Sequence, residues 1–233
     1  MSTTKTATAA SGEPSIAEQL VSALSAIWRA IQAQHPDVPD VVLTIGSGTD
    51  PRRRTSSKLG HFARRQWVRP APAGAEDAEA EFVHELLVSG EGLARGPVEV
   101  LGTLLHEAAH ARAEALGIVD TSDEGRYHNK RFAKLAEELG LAVTDAGRIG
   151  WAATSVPADT AELYRDQVEQ LRGALTTYRV PPPSRPAGAA REGRMLAAVC
   201  GCPKPRRFRI PRATFELGGI TCDLCRQPFT LAD

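Results

Sequence analysis

Two groups of residues in this chain have types and spacings that could do chemistry. The first is His106-Glu107-Ala108-Ala109-His110. On a helix, residues i and i+4 share a face, so the two imidazoles can point at one metal ion. Glu107 projects beside them, where its carboxylate can take a proton from a water held by that ion. A catalytic zinc needs a third protein ligand. Gly at 113 and His at 116 would complete the metzincin pattern, but Ala113 and Leu116 stand there. His128 is the downstream histidine that a helix–loop–helix hairpin could bring back over the motif, with Glu124 and Asp123 as carboxylate alternatives. Tyr127, beside His128, is the candidate second oxyanion donor. The surrounding Leu and Ala make unpartnered imidazole and carboxylate groups costly, which favours a metal site over a harmless surface helix. His35, His61 and His84 have no such context and read as surface or structural residues.

The second group is the four cysteines, Cys200, Cys202, Cys222 and Cys225. Two close pairs separated by enough chain for a hairpin have the layout of a zinc ribbon, in which four thiolates close a tetrahedral structural site. Such a site stabilises a module too small for its own core. Disulfides would suit a secreted chain, but MSTTKTATAA at the start lacks the apolar run of a signal peptide, which points to the cytoplasm. No apolar run is long enough for a membrane span. Between the cysteine pairs lie Lys204, Arg206, Arg207, Arg209 and Arg212 around Phe208, a composition suited to phosphate neutralisation and base stacking.

The 28 basic and 28 acidic side chains cancel over the 233 residues. That balance excludes a uniformly basic nucleic-acid binder but hides local asymmetry. Residues 51–75 carry seven basic and no acidic side chains, Arg52, Arg53, Arg54 and Lys58 among them. Residues 76–150 carry seven and fifteen, and residues 185–233 nine and four.

The elements that must position these groups follow from periodicity and breakers. Residues 1–13 read as disordered. Helices are predicted over 14–34, 97–116, 128–139 and 157–177, with Pro97 at a first helical position and Gly117 and Gly140 as stops. Strands are predicted over 41–45, 61–68 and 82–88, a linker over 70–74 and a polar loop over 120–127. PPPSRPAG breaks the pattern, so 181–194 reads as a Pro-rich linker between a domain over 14–180 and a ribbon over 195–233.

Together these pieces resemble the SprT-like metalloprotease family. KLGHFARRQW at 58–67 is similar to the family's Gly-containing strand pair that ends in Trp. EFVHELLVSGEGL at 81–93 is similar to the strand before its active-site helix, and VLGTLLHEAAHA at 100–111 to that helix. YHNKRFAKLAEELGL at 127–141 resembles its third-ligand segment, with Asn129 where the family usually has Gly. CGC…CDLC at 200–225 resembles the bacterial branch's C-terminal ribbon.

The resemblance implies an α+β protein: a compact zincin with helices on a small antiparallel sheet, followed by a small β zinc ribbon. It implies one catalytic Zn2+ on His106, His110 and His128, Glu107 as general base, and one structural Zn2+ on the four cysteines. The strand at 82–88 would border the cleft and could pair with an extended peptide. The expected activity is hydrolysis of peptide bonds in protein substrates, linked to DNA that is single-stranded or crosslinked to protein. Two rivals stand beside it. One is a non-proteolytic DNA-binding adaptor with structural zinc, and the other is a peptidase with one dedicated substrate and no DNA role.

Overall fold

A computed structural model describes residues 13–49, 58–71, 80–181 and 195–232. Arg52–Arg54, most of the N-terminal segment read as disordered, most of the 70–74 linker and nearly all of the Pro-rich linker lie outside the described residues. The chain divides into two compact units, Met1–Pro182 and Pro183–Asp233. Both mix helices with small sheets, so the fold is α+β. Among the described residues, no helix is long and apolar enough to cross a membrane.

The first unit opens with α1 (Ile16–Gln34), one residue inside its N-cap Ser15. Ser15 and Glu18 form a reciprocal capping box, Glu18 N–H donating to Ser15 Oγ and Ser15 N–H to Glu18 Oε2. Its stripe of Leu20, Leu24, Ile27, Trp28 and Ile31 is buried. Strands β1 (Val41–Gly46), β2 (Gly60–Arg69) and β3 (Glu81–Ser89) form a sheet in the order β1-β3-β2. The pairing of β1 with β3 is parallel and that of β2 with β3 antiparallel, so the sheet is mixed rather than antiparallel as expected. Alternation along a strand reports its buried face but not its neighbour's direction. Burial explains the order: β3, with Leu86 and Val88 buried, takes the centre, while the polar β2 takes an edge.

Helix α2 (Pro97–Ala115) starts at Pro97 and runs through the core. Leu101, Leu104, Leu105, Ala108 and Ala109 are all fully buried. Each such Leu contributes about 1.5–3 kcal/mol of transfer free energy. The segment read as a polar loop is a hairpin, β4 (Thr121–Ser122) and β5 (Tyr127–His128), turning through Asp123, Glu124 and Gly125 at positive φ. His128 therefore sits in a strand, not at a helix start. Helix α3 (Lys130–Glu138) begins after it, capped by Asn129, whose Oδ1 accepts from Arg131 and Phe132 N–H. A second hairpin, β6 (Ala142–Thr144) and β7 (Ala153–Ser155), follows. The predicted 157–177 helix is two pieces, α4 (Ala158–Leu163) and α5 (Arg165–Ala174), because Tyr164 leaves helical geometry at φ −103 and ψ 19 while burying its ring.

The second unit contains β8 (Met195–Val199), β9 (Arg207–Pro211), the short α6 (Arg212–Glu216) and β10 (Thr230–Leu231), in the sheet order β10-β8-β9. Its core is small: Ala198, Ile210, Phe229, Cys200 and Cys222 are buried.

Candidate metal centres

The histidines of α2 meet His128 because two backbone devices bring β5 back over the helix. Asn129 N–H donates to the Asp120 carbonyl, and Trp151 N–H donates to the His128 carbonyl. Gly150 makes the second contact possible. It sits at φ +67, and a Cβ there would lie 2.1 Å from the His128 carbonyl oxygen. One ligand atom from each of His106, His110 and His128 then lies within 4.8 Å of the others. The Phe132 ring floors the cluster, its centroid 4.7, 4.7 and 4.6 Å from those of the three imidazoles.

The donor set fits a tetrahedral ion. His110 Nε2 and His128 Nε2 stand 3.1 Å apart. Two nitrogens bound to zinc at ordinary length and tetrahedral angle would stand about 3.3 Å apart. The other ring nitrogens are directed elsewhere. His110 Nδ1 is 2.5 Å from Oδ2 of Asp120, a carboxylate only 2 % exposed, and His106 Nδ1 is 3.3 Å from Thr154 Oγ1. Such partners fix the tautomer and turn Nε2 toward a metal. His128 Nδ1 is buried and has no hydrogen-bond partner among the described residues. Burial, reinforced by the neighbouring imidazoles, lowers His106 to about 3. Burial and His110 lower His128 to about 4. Both rings are therefore neutral at physiological pH, the state that ligates.

Glu107 is 6 % exposed, and burial pushes its carboxyl above the usual range. Its Oε2 accepts the Phe62 N–H of edge strand β2 at 2.8 Å. Gly60 permits this approach, since a Cβ there would come 2.9 Å from Glu107 Oε1 and 2.8 Å from Thr103 Cγ2. The motif and His128 open on a cleft of about 1030 Å³ within the first unit, between β2 residues 60–64 and the 152–156 segment carrying β7.

Several predicted positions stand elsewhere. Glu124 lines the cleft but lies outside the histidine cluster, and Asp123 pairs with Arg126. Tyr127 packs its ring at Gly150 and does not line the cleft. Strand β3 is paired on both sides, so β2 is the strand that borders the cleft. His61 lines the cleft, while His84 accepts from Arg65 N–H. Asp120, Thr154 and the Phe62 N–H were invisible to sequence reading, because their links to α2 are tertiary. Gly60 carried a signal, since a glycine inside a strand pattern marks close backbone approach.

In the second unit the turn between β8 and β9 brings Cys200 and Cys202 to Cys222 and Cys225, with their sulfurs within 4.8 Å of one another. Cys202 Sγ and Cys222 Sγ are 3.7 Å apart. A disulfide needs about 2.05 Å. Two thiolates on one tetrahedral zinc stand about 3.8 Å apart. The backbone N–H of Cys225, then the Arg206 guanidinium, lower the Cys222 thiol to about 5.

The basic segment is divided in its roles. Arg206 is committed to the sulfurs, and the half-buried Phe208 packs edge-on against Phe229 at 4.8 Å, beside the small core. Arg212 pairs with Glu216. Lys204, Arg207 and Arg209 are exposed. Comparison of the chain with family models, with curated proteins and with solved structures returns no match.

Proposed function

We propose that the first unit is a zinc-dependent metallopeptidase of the SprT-like, zincin kind, and that the second is a zinc ribbon. The observation that carries the reading is a three-histidine cluster with a fourth side open to a cleft and a buried carboxylate one residue from a ligand. An adaptor with structural metal has no use for that carboxylate.

Zinc held by His106, His110 and His128 would lower the pKa of a water toward ~7 and polarise the scissile carbonyl. The chain's own residues do the rest. Asp120 and Thr154 hold two imidazoles in register, and Phe132 fills the space behind them. Phe62 N–H holds one oxygen of Glu107, which leaves the other to take the proton of the attacking water and pass it to the leaving amine. An extended peptide would pair with the outer edge of β2. Four thiols poised for metal suit a reducing compartment, and we place the protein in the cytoplasm. DNA-linked proteolysis is the specific form we favour, carried by Lys204, Arg207 and Arg209. Charge reversal at Arg207 and Arg209 with unchanged single-stranded DNA affinity would remove it and leave a peptidase without a DNA role.

Glu107→Gln tests the reading directly. We expect unchanged metal content and peptide cleavage lowered about 10²–10⁴-fold. Wild-type cleavage by this variant would overturn the mechanism.

A further inference from the structure

The sequence groups Arg206 with the basic residues that could meet a polyanion, but the structure gives it another task. Its backbone N–H donates to Cys200 Sγ at 3.2 Å, and its Nη2 donates to Cys222 Sγ at 2.8 Å. One residue thus spans the two cysteine pairs. The two sulfurs it holds belong to the two buried cysteines, Cys200 being 4 % and Cys222 0 % exposed. Cys202 and Cys225 are partly exposed, and among the described residues no nitrogen donor of ordinary hydrogen-bond geometry reaches either sulfur.

We infer that Arg206 is a positioning residue of the four-cysteine site, dividing its sulfurs into a clamped pair, Cys200 and Cys222, and a pair open to electrophiles, Cys202 and Cys225. This rests on the reading of the cluster as a zinc site. Four thiolates around a divalent cation carry a net charge of about −2. A guanidinium hydrogen-bonded to one of them offsets part of that charge and withdraws electron density from its sulfur. A thiolate relieved in this way is the weaker nucleophile, and burial shields it further. The open pair carries the residual charge at the surface, so electrophilic attack and metal loss begin there. Arg206 is then unavailable to a phosphate without loosening the site.

The test is site-resolved alkylation of the full-length, zinc-loaded protein with N-ethylmaleimide. Each addition forms one Sγ–carbon bond, and the adjacent maleimide carbon takes a proton from water. The chain has only four cysteines, so peptide mass spectrometry reads each one. Cys202 and Cys225 should be labelled about tenfold faster than Cys200 and Cys222 in the wild type. In Arg206→Ala the rate at Cys222 should rise about tenfold and zinc release should accelerate, with Arg206→Lys retaining part of the protection. Equal labelling of all four sulfurs in the zinc-loaded wild type overturns the inference. So does an unchanged order in Arg206→Ala with zinc bound, since burial alone would then explain it. A wild type without metal at the cysteines by native mass spectrometry would instead remove the zinc reading itself.

Discussion

The two candidate metal centres solve opposite problems with similar economy. In the first unit three imidazoles converge inside a large core, leave one direction open to a cleft and keep a buried carboxylate beside it. In the second, four sulfurs close on one another and make up much of a very small core. Open and three-liganded is the form of a site that must exchange water and substrate, whereas closed and four-liganded is the form of a site that holds a fold. The supporting groups differ in the same sense. A carboxylate orients the His110 ring through Nδ1, while a guanidinium offsets the excess charge on the cysteine sulfurs.

Metal removal should separate the two centres most sharply. On chelation the second unit should unfold, losing on the order of 10 kcal/mol of metal-linked stability, while the first keeps its helices and loses activity. Backbone amide spectra recorded before and after chelation read both units at once, and a second unit that stays folded without metal would erase the distinction. A smaller effect tests the partner of His110. Asp120→Ala should weaken metal binding at the histidine site about 10–100-fold and leave the cysteine site unchanged, measured by competition with a chromophoric chelator.

The smallest effect concerns acid. Glu91, whose side chain is 7 % exposed, accepts from Gly48 N–H and the hydroxyls of Ser47 and Ser89 and pairs with Arg179. Burial pushes its carboxyl up, but the hydrogen bonds outweigh burial and bring it to about 2 from an ordinary 4.5. The folded value is depressed, so this contribution is full above pH 4.5 and is lost as pH falls toward 2. It should amount to roughly 1–2 kcal/mol, and it should be confined to the first unit. Glu91→Gln should flatten that part of the stability–pH curve, and an unaltered curve would exclude Glu91 as its source.

Much of the frame was legible because its signals are local. The apolar periodicity of α1, Pro97 and the heptad-like Leu spacing of α2 all act within a turn or two of chain. The pairing of His106 with His110 is likewise a property of one helix. The rest depends on chain segments meeting across the core. Nothing near Asp120 or Thr154 announces that each will face an α2 imidazole. The sheet's mixed direction is also unavailable from alternation. The second unit held a signal that the basic composition obscured. In β9 the exposed Arg207 and Arg209 alternate with Phe208 and Ile210, which turn to the core, so a period of two already assigned Phe208 to packing.

The central claim is one open and one closed zinc site on a single chain, and metal stoichiometry tests it most directly. Native mass spectrometry of the purified protein should find two zinc ions in the wild type and one in each of His128→Ala and Cys222→Ser. His128→Ala retaining both ions, or a wild type holding a single ion, would contradict the account.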